Sequence, residues 1–191
     1  MAQEYTASET FEGIDYTDTP FLNGEYDSCT FSNCNFSRVD ISGCLFIECR
    51  FINCNLSLAG MVKTSFRDVA FKDCKMLGLL FGDCNEFGLL FNFNNCQLNN
   101  CSFYQVKIKK TVFRNSQLQE ADFTSSDMTG AVLDNCDLAN ATFDRTILEK
   151  ADLTTSFNYS INPETNYIKK AKFSLEGLPG LLHKYDIDIV H

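Results

Sequence analysis

The sequence predicts an all-β solenoid, a coil wound from five-residue units, and two observations carry that prediction. Stepping by five from Phe11 lands on Tyr16, Phe21, Tyr26, Phe31, Phe36, Ile41, Phe46, Phe51, Leu56, Met61, Phe66, Phe71, Met76 and Phe81, all large and apolar. A second run, displaced by two positions, passes through Leu98, Phe103, Ile108, Phe113, Leu118, Phe123, Met128, Leu133, Leu138, Phe143, Leu148 and Leu153. The second observation is a smaller residue two places before these centres: Cys29, Cys34, Cys44, Cys49, Cys54, Ala59, Thr64 and Cys74, then Cys96, Cys101, Ala121, Ala131, Cys136, Ala141 and Ala151.

The unit therefore reads small, polar, large apolar, polar, polar. In extended backbone, residues i and i−2 point the same way, so both face inward while their neighbours face solvent. Five is odd, so a straight strand cannot keep that alternation. The backbone must turn once per unit, and regular turning winds it into a coil. The repeat also accounts for the composition, with 18 Phe and no Trp, and 10 Cys against 2 His. A hydrophobic fraction of 45% in 191 residues is enough for one buried core.

The units CTFSN, CNFSR, CRFIN, CQLNN, CSFYQ, ADFTS and ADLTT resemble the A(D/N)Lxx consensus of pentapeptide repeat proteins over roughly residues 14 to 155. That resemblance implies a right-handed quadrilateral β-helix in which four units make one square coil of about 20 residues. The four-sided section belongs to the resemblance, whereas the spacing gives only the winding. About seven coils at about 4.8 Å each make a rod roughly 35 Å long.

Along the chain, residues 1–13 read as a lead-in or cap and 14–85 as the first half of the repeats. The phase then slips through 86–95, where Glu86 takes the place of an apolar centre; a packed bulge or kink and a functional loop both fit. Residues 96–173 form the second half, loosening after Leu153 into one irregular coil before Ala171 and Phe173 restore the phase. The tail, 174–191, places Leu178, Leu181, Leu182 and Tyr185 at helical spacing after Pro179, then alternates Ile187 and Ile189 with Asp186 and Asp188 as an edge strand would. It either caps the last coil or forms a twofold homodimer in which each subunit's tail covers its partner's. The residues of that interface would be Leu178, Leu181, Leu182, Tyr185, Ile187 and Ile189.

Little resembles catalytic chemistry. All ten cysteines read as small inward residues of their units, and none has the CxxC spacing of a zinc site. Cys34, Cys54 and Cys74 should stack as buried thiols. His183 and His191 both lie in the tail, and no phosphate loop or nucleophile elbow occurs. The segment from Gly177 to Gly180 reads as a turn into the tail helix. The expectation is a non-enzyme with no cofactor and no metal. No apolar window is long enough to span a membrane, and the acidic N-terminal sequence is unlike a signal peptide, so a soluble, cytoplasmic protein is expected.

Charge points to a partner class. The 25 acids and 16 bases give a net charge of −9, which disfavours direct contact with nucleic acid or an anionic membrane. Eight acids, Glu120, Asp122, Asp127, Asp134, Asp137, Asp144, Glu149 and Asp152, crowd residues 120–152 against only Arg145 and Lys150. On a four-sided coil they would form a collar with two acids per side. The chain is similar to the Qnr-type branch of the family in size, two-part body, acidity and tail. That likeness implies a DNA-mimicking rod that binds DNA gyrase and topoisomerase IV and protects them from quinolones. Duplex DNA carries a charge per about 1.7 Å, so mimicry here would be more of shape than of charge. Lys107, Lys109, Lys110 and Arg114 form a basic cluster that reads as a solvated face, and no insertion matches the projecting loops of the plasmid-type members. The alternative is a scaffold or interaction module with an unrelated partner.

Overall fold

The computed structural model describes residues 4–190; residues 1–3 of the lead-in and His191 in the tail lie outside the described residues. The chain winds as a right-handed, four-sided parallel solenoid. The first face is a four-stranded sheet of β1 (Glu4–Ala7), β3 (Gly24–Asp27), β5 (Leu45–Ile47) and β7 (Ser65–Arg67). The second is a seven-stranded sheet of β2 (Thr10–Glu12), β4 (Thr30–Ser32), β6 (Arg50–Ile52), β8 (Val69–Lys72), β9 (Phe91–Asn94), β10 (Val112–Arg114) and β11 (Val132–Asp134). The third and fourth faces are held by single parallel bridges, such as Asn35 to Asn55 and Ser102 to Asp122.

The turn predicted once per unit has a definite conformation. The residue two places after nearly every centre has positive φ, as at Asn33 (53°), Lys63 (60°), Asn115 (51°) and Gly130 (68°). L-residues reach this left-handed region at a cost, which asparagine and glycine minimise. Asparagine accordingly fills one corner at Asn33, Asn53, Asn95, Asn115 and Asn135. There the Asn53 amide donates to Asn33 Oδ1 at 2.6 Å and the Asn135 amide to Asn115 Oδ1 at 2.9 Å.

Four such turns bring the chain back over itself after 20 residues, so each centre lands on a centre. Phe31, Phe51 and Phe71 are register partners in turn, and their rings stack at 4.8 and 5.1 Å. Neighbouring columns meet edge to face, as Phe31 and Phe46 do at 82°. Offset stacking within columns and edge contacts between them are both favourable for aromatic rings.

The small inward residues have a second task that the periodicity does not reveal. Their donors reach back to a main-chain carbonyl of the coil below: Cys54 Sγ to Phe31 O at 3.3 Å, Cys49 Sγ to Tyr26 O at 3.2 Å, Thr146 Oγ1 to Phe123 O at 2.8 Å and Ser156 Oγ to Leu133 O at 2.7 Å. Buried carbonyls need such donors, which explains cysteine, threonine and serine at positions where packing alone would accept alanine.

The phase slip adds two residues to one coil. Partners are 20 apart until β8 meets β9, where Phe71 pairs with Phe93, and Phe93 then pairs with Phe113. The second face therefore runs through the slip without a break. The extra length is absorbed on the first face, where residues 86–89 arch outward between Asn85 and Leu90, both still bonded to the coil below through Thr64 O and Phe66 O. Glu86 is accordingly an exposed residue and not a buried centre, while Cys84, two places before it, still packs against the core but is only half-buried.

In the irregular coil the ladder keeps its 20-residue step, with Asp137 bridging Phe157 and Ile147 bridging Tyr167, while Tyr159 and Ile161 turn inward. The tail folds as a single-turn helix, α1 (Pro179–Leu182), with Pro179 in its first turn, followed by a 3-10 turn at His183–Tyr185. The edge strand expected over Ile187 and Ile189 does not form, because no strand of the chain lies beside it to pair with.

Replacing Phe51, which is fully buried between Phe31 and Phe71, with alanine should cost about 3–5 kcal/mol. Urea unfolding monitored by circular dichroism measures this; a loss below about 1 kcal/mol would contradict the stacked-column account.

Candidate functional site

The four-sided register places the collar acids two to a side. Asp137 stands on the third face with Glu120 at its corner, Asp122 and Asp144 on the fourth, Asp127 and Glu149 on the first, and Asp134 and Asp152 on the second. Equal numbers do not give equal charge, however. Arg114 Nε reaches Asp134 at 3.0 Å and Lys172 Nζ reaches Asp152 at 2.9 Å, so both acids of the second face are paired. Lys109 pairs with Asp127 and Arg145 with Asp144, each at 3.0 Å.

Among the described residues, Glu120, Asp122, Asp137 and Glu149 have no basic partner within ion-pair distance. Three of the four, Glu120, Asp122 and Asp137, sit on the third and fourth faces and the corner between them. The collar is thus one-sided in net charge. Asp137 is held by neutral donors instead, Gln119 Nε2 at 2.7 Å and Asn158 Nδ2 at 2.8 Å, so its position is fixed without a cation beside it.

The basic cluster is largely spent within the rod. Lys107 pairs with Glu86 at 3.3 Å, and Lys109 and Arg114 with the collar acids named above. The basic cluster and the collar thus partly cancel across adjacent coils, which charge counting along the sequence could not show. Partners here are 20 or so residues apart, and only the coil brings them together.

Two of the paired acids, Asp127 and Asp152, have lowered carboxyls. Burial alone would raise the Asp127 carboxyl, but the Thr129 hydroxyl and amide and Lys109 outweigh it and hold it below the usual carboxylate range. The Thr154 hydroxyl and then Lys172 do the same for Asp152.

The tail divides into a seated part and a free part. Gly177 and Gly180 lie against Tyr159 so closely that a Cβ on either would collide with it, and Ile161 N–H donates to Gly180 O at 2.9 Å. Leu181 packs against the core, as Ile168 and Phe173 also do, while Tyr185 Oη donates to Glu164 at 2.8 Å and Lys184 pairs with the same carboxylate. Leu182 is half-buried; Leu178, Tyr185, Ile187 and Ile189 are exposed. The helical part therefore covers the last coil, and the residues after it face solvent.

A family model described as pentapeptide repeat region matches residues 24–92 and again 88–153. The chain belongs to the pentapeptide repeat family. The two matches meet at the arch, where the register changes. No curated protein matches the sequence. Among solved structures, full-length QnrB1, a plasmid-mediated fluoroquinolone resistance protein, superposes with a TM-score of 0.62 at 17% identity over 96% of this chain and 100% of its own. A trypsin-treated variant of QnrB1 gives 0.62 at 18% identity over all of both chains. HetL, a pentapeptide repeat protein involved in heterocyst differentiation regulation in Nostoc sp. strain PCC 7120, gives 0.40 at 15% identity over 88% of this chain and 84% of its own. At these identities the likeness is one of fold.

The coil interior is filled by the stacked central side chains and the small inward residues between them. Cys34, Cys54, Cys74 and Cys96 form one inward column, the last joining through the two-residue slip. Burial pushes the thiols of Cys49 and Cys101 up to about 12 and that of Cys136 up to about 11, so at neutral pH they stay protonated. Among the described residues no cluster could hold a metal ion, and no helix is long and apolar enough to cross a membrane. The phase slip expected over 86–95 takes the form of an arch over 86–89 that carries Phe87 at 73% exposure, an exposed aromatic that the sequence reading did not single out. Its signal was present as two surplus residues beside Gly88, whose positive φ (71°) permits the reversal.

The lowered carboxyls of Asp15, Asp40, Asp127 and Asp152 set an acid limit. Their contribution is fully present above the unfolded value of about 3.9 and is lost as pH falls through the lower folded value. The melting temperature should therefore hold from neutral pH to about 5 and fall below about 4. In Asp152→Asn it should start lower at neutral pH and fall less in acid. A melting curve indifferent to acid would rule this out.

Proposed function

We propose that this protein acts by occupancy, presenting its acidic third and fourth faces to the DNA-binding saddle of a type II topoisomerase and protecting that enzyme from quinolones. The observation that carries this reading is the uncompensated group Glu120, Asp122 and Asp137 on one side of a narrow rod. The full-length likeness in fold to QnrB1 supports it. A rigid surface that already holds carboxylates at the coil spacing offers a basic groove fixed anions without ordering cost. Such binding involves no bond making, and its strength must fall with salt.

Self-association through the exposed part of the tail would lengthen the rod and is part of the same reading. A scaffold with another partner is the second reading. It is favoured by a mid-rod strip of exposed apolar residues, Leu58, Val62, Leu80 and Tyr104, that a charge mimic does not require.

The test is gyrase supercoiling with the purified protein, without and with a fluoroquinolone. Inhibition alone and rescue with the drug are expected, both weakening as salt rises. The double change Glu120→Lys and Asp137→Lys should reduce the effect about tenfold or more, corresponding to about 1.4 kcal/mol. Asp152→Asn, on the paired second face, should change it little. Absence of any effect on gyrase and of any complex at low salt would exclude the topoisomerase reading.

A further inference from the structure

The tail covers part of the last coil, whereas the first coil ends in an open sheet edge. β1 and β2 are the end strands of their sheets, and among the described residues no strand lies below either. One coil up, Thr30 N–H donates to Glu9 O and Ser32 O accepts from Gly13 N–H, each at 2.9 Å, so the main-chain groups of Thr30 and Ser32 point down at β2. Their register partners in β2 are Thr10 and Glu12, which turn the same groups out of the end of the rod. Phe11, between them, is the last ring of its column. It stacks on Phe31 at 4.8 Å and is only half-buried, where Phe31 is fully buried.

Charge makes this edge selective. Residues 4–27 hold seven acids and no lysine or arginine, and among the described residues none of the seven lies within ion-pair distance of a base. Two of them flank Phe11. Glu9, two places before it, takes the inward position that Cys29 holds in the coil above, and Glu12 follows it by one place; both are exposed. The Glu12 carboxylate accepts only from the Asn33 amide, at 3.4 Å. Two such ends repel each other, so a second copy meeting this one end to end is not the occupant, and a basic segment is favoured.

The main chain makes a further distinction among the faces. On the fourth face the position one place before the centre Phe21 is Pro20, which has no N–H to offer an added strand. The same position on the second face is Thr10, and there the donor is kept. Free edges of this kind take an added strand, with main-chain bonds supplying affinity and side chains the specificity.

We propose that β2 takes an added strand from a basic protein partner, an extended segment in which an apolar residue has lysine or arginine two places before it and one place after. Laid in the parallel register of the coil above, its apolar residue continues the column below Phe11. Its two basic residues then fall opposite Glu9 and Glu12, and opposite charges across a strand pair stabilise the pairing. Six register steps separate Glu12 from Asp134 in the collar, so this surface is distinct from the one proposed to face a topoisomerase and does not depend on it.

Fluorescence anisotropy of a labelled peptide carrying Lys-Thr-Phe-Lys between Gly-Ser flanks, titrated with the full chain, tests this. Saturable binding that weakens as salt rises is expected, with none for the Glu-Thr-Phe-Glu counterpart. Thr10→Pro removes a main-chain donor that has no partner among the described residues, so it should keep the wild-type circular dichroism melt and weaken binding about tenfold or more. Glu9→Lys with Glu12→Lys should weaken it as much through charge, whereas Glu120→Lys with Asp137→Lys in the collar should leave it unchanged. A basic peptide that does not bind would overturn the proposal and leave the acids as a guard against end-to-end pairing. Binding indifferent to Thr10→Pro, or to the Glu9 and Glu12 changes, would also overturn it, as would binding lost in the collar variant, since each places the peptide elsewhere than on this strand.

Discussion

The left-handed turn at every fifth residue governs the rest of this molecule. Four such turns close a coil at 20 residues, so chemically like positions fall on one another and every column extends by repetition. The phenylalanine stacks, the asparagine corner and the thiol column are all products of that closure. The turn itself is locally unfavourable for residues such as Lys63, Glu120 and Arg145, which sit in it at φ of 60°, 58° and 51°. What holds them there is the ladder: the N–H of each of these residues donates to a carbonyl of the coil above at 2.8 to 3.0 Å.

Much of this was legible because period five is a strong constraint. The centres from Phe31 to Leu153 are buried as the stepping predicts, and the helix start at Pro179 falls where the tail pattern placed it. What could not be read depends on contacts across coils. Pairing of Arg114 with Asp134 or Lys172 with Asp152 needs the 20-residue return, which local charge counting ignores. Two acids per side was a sound deduction from register, but whether those acids keep their charge depends on neighbours in other coils. The missing strand at Ile187 failed for a related reason. Alternation shows that a segment is suited to an edge, not that an edge is available within the same chain.

The two-residue slip shows how much irregularity the architecture accepts. A surplus confined to one face leaves the other three in register, so Phe71, Phe93 and Phe113 still stack at 5.4 and 5.1 Å. Pentapeptide repeat coils can thus be altered on one side without disturbing the column on another. The cost falls locally, as main-chain groups at 104–109 that lack partners in the coil below.

The inward cysteines also make the folded and unfolded chains chemically unequal. Nine of ten are buried, and several have thiols pushed well above their ordinary range. Once the coil opens, each would return toward a free-thiol value of about 8.5 and become available for exchange and oxidation. A transient opening in an oxidising solution would then be trapped by cross-linking before the ladder could reform. For this rod, durability under such conditions is set less by the equilibrium between coil and chain than by how seldom the coil opens.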